Sequence, residues 1–239
     1  MRKYFLLILI IISSVKLKAQ DSYNYAAYGI GFGASYARPF ADLKRNYDDR
    51  IYNVNLNYYY SPYLPITLEI QAGHLRGGGN TIAEDIATRR FNNNFKAVLL
   101  HANIQLGELI DYEGDFFMNV VKNFYLGSGF GFMINKVDAN RYSVIDPTYR
   151  FPGKDNSFNM VIPIRFGYEF KIYNSYDEPN IRLDIGYQHN MTFGEGLDGY
   201  NDGAVSFKNN ALDQYRQITI GIKFNFGGES SYDKSISGF

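Results

Sequence analysis

The sequence predicts an all-β chain, an eight-stranded antiparallel up-and-down transmembrane β-barrel. Three observations predict it: eight runs in which apolar residues alternate with small or polar ones, connections that alternate long and short, and an apolar leader. Each run spans about 9 to 13 residues, longer than the strands of soluble sheets and enough to cross a bilayer at a tilt. In hydrocarbon every backbone N–H and C=O needs a partner, and among sheets only a closed barrel supplies one to every strand.

The leader comes first. Arg2 and Lys3 precede an apolar run over residues 4–15, and Lys18-Ala19-Gln20 places a small residue where signal peptidase cuts. Residues 1–19 therefore read as a secretory signal peptide, since the run is shorter than the roughly 18 residues a retained transmembrane helix requires. Loss of Arg2, Lys3, Lys16 and Lys18 leaves 20 basic against 24 acidic residues, a net charge of −4. That balance offers no basic field for nucleic acid. Cysteine is absent, so an exported chain of this kind has neither disulfides nor a Cys-ligated metal. The 22 Tyr, 19 Phe and 23 Gly favour strands and tight turns over helices.

The strands follow in order. Tyr28, Ile30, Phe32, Ala34 and Tyr36 alternate with Gly29, Gly31, Gly33, Ser35 and Ala37. Tyr52, Val54, Leu56, Tyr58 and Tyr60 alternate with Asn53, Asn55, Asn57 and Tyr59. Ile66, Leu68, Ile70 and Ala72 are set against Thr67, Glu69, Gln71 and Gly73, and Val98, Leu100, Ala102 and Ile104 against Ala97, Leu99, His101 and Asn103. In the second half Phe124, Leu126, Phe130, Phe132 and Ile134 oppose Tyr125, Gly127, Gly129 and Gly131. Met160, Ile162, Ile164, Phe166, Tyr168 and Phe170 oppose Pro163, Arg165, Gly167, Glu169 and Lys171. Ile181, Leu183, Ile185 and Tyr187 oppose Arg182, Asp184, Gly186 and Gln188. Ile218, Ile220, Ile222, Phe224 and Phe226 oppose Gln217, Thr219, Gly221, Lys223 and Asn225. The apolar set of each run is assigned to lipid and the other set to the lumen. Pro163 is a misfit, because a barrel has no free edge for a residue that cannot donate to the ladder, and a β-bulge is expected there.

The connections 38–51, 76–95, 136–159 and 190–213 are long, whereas 61–65 and 173–179 are short. Long extracellular loops and short periplasmic turns put both termini in the periplasm. Connection 107–123 is long on the short side, and Phe116, Phe117, Val120 and Val121 after Asp115 predict a capped amphipathic helix at the inner rim, with a short strand or irregular turn as the alternative. The barrel is assigned to residues 20–226 and a periplasmic tail to 227–239.

The inward sets contain Glu69, Arg165, Glu169, Lys171, Arg182, Asp184 and Lys223. Charges enclosed at low dielectric must be paired, so these seven are expected to form a salt-bridge network plugging the lower lumen; a narrow polar pore is the alternative. The glycine-faced strands leave room for larger lumen side chains, since an eight-stranded barrel is just wide enough to be filled. Their spacing is not that of a phosphate-binding loop.

No catalytic residue, cofactor or metal site is assigned. Only His101 of the three histidines faces inward, no Cys joins it, and no G-x-S-x-G elbow is present. Glu195, Asp198 and Asp202 lie in the glycine-rich stretch 192–210, which lacks the order of a calcium loop and reads as a solvated, flexible loop. Gly77-Gly78-Gly79 and Asn92-Asn93-Asn94 bracket another mobile loop. Tyr28, Tyr58, Tyr60, Phe124, Tyr168, Phe170, Phe224 and Phe226 are expected in a periplasmic aromatic girdle, and Tyr36, Tyr52 and Tyr187 in an outer one. Lys96 and Arg216, outward near the outer rim, are candidates for lipopolysaccharide phosphates.

The leader ending Lys18-Ala19-Gln20, the opening Y-G-I-G-F-G-A-S-Y-A-R-P-F over residues 28–40 and the amphipathic run 217–226 resemble the Bacteroidetes outer-membrane β-barrel proteins, small barrels of the OmpA-type and PorT-like plan. The resemblance implies a structural or interaction barrel in the cell outer membrane, in contact with outer-membrane lipid and lipopolysaccharide and with no enzymatic motif. A protein partner is left open. A porin-like small pore or transport-associated barrel is the competing function, and a soluble lipocalin-like barrel the competing fold.

Overall fold

The computed structural model describes residues 23–41, 43–112, 114–194, 196–201 and 213–232. The signal peptide assigned to residues 1–19 lies outside them, as do residues 233–239. Among the described residues there are nine strands: β1 (Tyr23–Phe40), β2 (Asn46–Tyr47), β3 (Asp49–Ser61), β4 (Leu64–Gly78), β5 (Arg90–Gln105), β6 (Phe124–Ala139), β7 (Asn156–Tyr173), β8 (Pro179–Phe193) and β9 (Gln214–Tyr232). The eight long strands pair antiparallel with their chain neighbours, and β9 returns to β1 to close the ring. The short β2 adds only a rung on β4.

Side-chain parity explains why the ring closes this way. On every long strand the isoleucines, leucines and aromatics of the apolar set point outward and are exposed or half-exposed, whereas the amide, glycine and charged set points inward and is buried or partly buried. An uninterrupted apolar exterior of this extent far exceeds the patches that water-soluble monomers carry. It is a lipid-facing surface, and the strands are its membrane-crossing elements. No helix among the described residues is long and apolar enough to cross. The chain is thus a transmembrane up-and-down barrel, and barrels of this build belong to outer membranes.

The short turns 62–63 and 174–178 lie at one rim, with Tyr23 and Tyr232 paired nearby; the long connections after β1, β4, β6 and β8 leave from the other. In the connection between β5 and β6 a 3-10 turn (Leu106–Glu108) leads to helix α1 (Phe116–Val121). Asp115 caps α1, its carboxylate accepting from the Phe117 N (2.7 Å) and Met118 N (3.1 Å). The N-cap reading of Asp115 thus yields a helix.

Several features differ from the sequence reading. The eight long strands run 13 to 19 residues, because the ladders continue past the predicted runs at one rim or both. Residues 92–94, expected in a mobile loop, lie in β5 and pair with β4 and β6. Pro163 causes no β-bulge: β6–β7 pairing lapses beside it and resumes in the same register at Gly131 and Val161. The Ser128 hydroxyl donates to the Pro163 carbonyl at 2.9 Å, so the lost rung is local. Lastly, β9 does not stop at Phe226; after an irregularity opposite Ala26 it pairs with β1 as far as Tyr232.

Candidate functional site

The lumen is the region where the enclosed polar groups converge, and it is built in three tiers. The middle tier centres on Glu69 of β4. Its Oε2 accepts from Arg165 Nη1 of β7 at 3.1 Å and lies 3.1 Å from His101 Nε2 of β5, while Oε1 accepts from Gln71 at 2.6 Å. Arg165 also touches the His101 ring. Glu69 and His101 meet on the adjacent strands β4 and β5, and Arg165 reaches them from β7 across the lumen, because inward positions recur every second residue. A cavity of about 20 Å³ remains among Asn53, Glu69, His101, Arg165 and Lys223, room for about one water molecule.

The lower tier centres on Glu169 of β7. One carboxylate oxygen accepts from Arg182 of β8 at 2.8 Å and from Gln105 at 2.9 Å; the other accepts from Lys223 of β9 at 2.6 Å. Lys223 also donates to Asp184 at 3.0 Å, and the Tyr125 hydroxyl donates to the same carboxylate at 2.8 Å. Tyr125 sits on β6, two strands from Asp184, and reaches it across Gly167 and Gly186. A Cβ at either position would collide with its hydroxyl. Glycine on these lumen faces therefore makes space for a long side chain, as the filling of a narrow barrel requires.

Of the seven charged residues singled out from the sequence, six enter these ion pairs: Glu69, Arg165, Glu169, Arg182, Asp184 and Lys223. Lys171 does not. Its ammonium has no hydrogen-bond partner among the described residues and stands 3.8 Å above the ring of Tyr63. The cation is met by an aromatic face. Arg182 makes the same contact with Tyr59 at 3.9 Å. Tyr59, Tyr63, Tyr112 and Tyr232 form a buried aromatic floor at the short-turn rim. Lys122, just after α1, lies 4.3 Å from the Tyr112 ring, and burial draws its pKa down to about 8.

The upper tier is apolar and was not legible in the sequence. Leu75, Phe91, Phe95, Met133 and Tyr215 fill the barrel mouth, with Leu197 and Tyr200 inserted from the loop after β8. Asn93 Nδ2 donates to the Leu197 carbonyl at 2.8 Å, and Tyr200 Oη donates to the Arg90 carbonyl at 2.8 Å. Over residues 196–200 this corrects the reading of 192–210 as a solvated loop; residues 202–210 lie outside the described residues. Residues 196–200 are buried because two apolar side chains anchor them in the mouth. Glu195 and Asp202 lie outside the described residues, and the Asp198 carboxylate accepts from the Tyr200 N at 2.9 Å.

The remaining candidates lie outside the lumen. His74 and Lys96 are exposed on the outer wall. His189 Nε2 lies 2.7 Å from Gln214 Oε1, and the Arg216 guanidinium is 5.5 Å from the Phe40 ring. The girdle tyrosines and phenylalanines face outward; Phe124 and Tyr168 meet edge to face at 4.8 Å, and the Tyr28 and Tyr58 rings lie tilted at 5.7 Å.

No protein-family model matches the sequence, and no curated protein does. Among solved structures, the chain is similar to Neisserial surface protein A (12% identity, TM-score 0.47, covering 87% of this chain and 100% of that one). It is also similar to Ail of Yersinia pestis in complex with the heparin analogue sucrose octasulfate (12%, TM-score 0.43, 83% and 97%). A third is the outer membrane enzyme PagL (9%, TM-score 0.31, 82% and 99%).

Proposed function

We propose that this chain is a non-conducting, non-enzymatic outer-membrane barrel with a structural or interaction role, presenting its extracellular loops from a filled scaffold. The observation that carries the reading is the filling itself. An aromatic floor, two tiers of paired charge and an apolar plug follow one another through the lumen, and the central cavity of about 20 Å³ accommodates a water molecule but not a file of hydrated ions. The leader is removed after Ala19 before insertion. Kinship with the Bacteroidetes small barrels rests on the same leader and opening strand.

The outer wall supports contact with lipopolysaccharide. Arg38, Arg216 and His189 face each other across β1, β9 and β8 in one outward row. Like charges directly opposed on a sheet repel. Asp48 holds Arg38 through two hydrogen bonds of 2.8 and 2.6 Å, whereas Arg216 lies against the Phe40 ring. A lipid phosphate in the row offsets the repulsion.

The test is planar-bilayer recording of the purified full chain. The filled lumen predicts no conductance steps above the bare membrane. Reproducible open-channel steps would favour the pore reading instead.

A further inference from the structure

Helix α1 carries two stripes. Met118 and Lys122, one turn apart, turn towards the aromatic floor: Met118 packs on it and Lys122 lies over Tyr112. Phe116, Phe117 and Val120 occupy the opposite side, with Phe116 73% and Phe117 65% exposed. No residue of α1 is buried. Two phenylalanines held out by a capped helix require an apolar medium, and the position of α1 indicates which one. The Tyr168 hydroxyl, on the outer wall of β7, donates to the Val120 carbonyl at 2.9 Å. Phe124, the first residue of β6, lies against the Tyr168 ring. Both belong to the lipid-facing aromatic girdle, so the exposed stripe of α1 continues that girdle beyond the strand ends.

Resting on the membrane reading above, we propose that α1 is an interfacial anchor whose Phe116, Phe117 and Val120 are covered by phospholipid at the headgroup and upper acyl level of the periplasmic leaflet. Short amphipathic helices lie in that zone with the apolar face down, and aromatic side chains favour it. The β5–β6 connection then fixes the depth of the barrel and does not project into the periplasm as a docking arm. Asp115 contributes by capping the helix that holds the two rings outward, and Met118 and Lys122 by seating its other side on the floor.

The chain contains no Trp, so Phe116→Trp gives a single tryptophan at the exposed stripe, excited at the red edge where the 22 tyrosines do not absorb. Leu126→Trp gives another on the barrel wall proper. Each variant is reconstituted in phosphatidylcholine vesicles carrying nitroxide-labelled lipid, the label either at the headgroup or deep in the acyl chain. The proposal expects the fluorescence of the Phe116→Trp variant to be lost more with the headgroup label than with the deep one, and that of the Leu126→Trp variant to be lost with the deep label. If the wall emitter is quenched while the helix emitter responds to neither label and is reached by aqueous iodide, the anchor is wrong and the barrel stands. It is equally overturned if the helix emitter is shielded only at high protein-to-lipid ratio, which would indicate a second copy as the covering surface. Failure of both emitters to sense either label overturns the membrane reading itself, and the anchor with it.

Discussion

Glu169→Gln is expected to destabilise the folded barrel by about 3–5 kcal/mol, the range for leaving a buried ion pair without one partner. The substitution keeps the side-chain shape and removes the charge that accepts from Arg182 at 2.8 Å and from Lys223 at 2.6 Å. Arg182 and Lys223 then share the lower lumen with Asp184 alone. Lys223 keeps its 3.0 Å contact to Asp184, so Arg182 bears the loss. Removing that charge as well, in Glu169→Gln with Arg182→Met, is expected to restore part of the stability, because the buried charge left without its partner is gone. Urea unfolding of vesicle-reconstituted protein, scored by migration on unboiled gels, measures both. An unchanged midpoint in the single variant would mean that water screens these charges, as in an open lumen.

Leu100→Arg is the second large effect. Leu100 points outward from β5 between Leu68 and Phe130 in register, in the middle of the apolar band. A lipid-facing arginine near the midplane costs about 2–4 kcal/mol. The same urea titration should show this loss, whereas Leu100→Phe should leave the midpoint unchanged. An arginine tolerated there without cost would place that face of β5 in water.

Much of this arrangement was written locally. Period-two alternation assigns Leu100 outward and Glu69 inward from a few flanking residues, and Asp115 announces α1 one residue ahead. The plug was hidden for a different reason. Leu75, Phe91 and Tyr215 lie near polar runs that resemble loops, and their partners Leu197 and Tyr200 are distant in sequence. Only ring closure brings Tyr200 to Arg90. Phe91 and Phe95, at the same parity as Ala97 and Leu99, were the available signal that β5 continues upward, but the three consecutive asparagines between them masked it. Lys171 shares its parity with Glu169, so the pattern could place it inward. Its seat above Tyr63 depends on the two-residue turn between β3 and β4, which alternation does not encode. Pro163 was expected to bulge because pairing was assumed to be continuous; a short lapse in the β6–β7 ladder accommodates it instead.

The most direct test of the lipid-facing exterior uses the absence of Cys from the chain. Single Cys variants at Ile218, Ile220 and Ile222 of β9, with Thr219 as the inward control, are labelled with a nitroxide in the vesicle-bound protein. Collisions with oxygen, which enters bilayers, are compared with collisions with a water-soluble nickel chelate. An apolar wall in lipid predicts frequent oxygen collisions and few chelate collisions at the three isoleucine positions, with the Thr219 label sheltered from both. Free access of the chelate to positions 218, 220 and 222 would contradict a membrane-spanning wall.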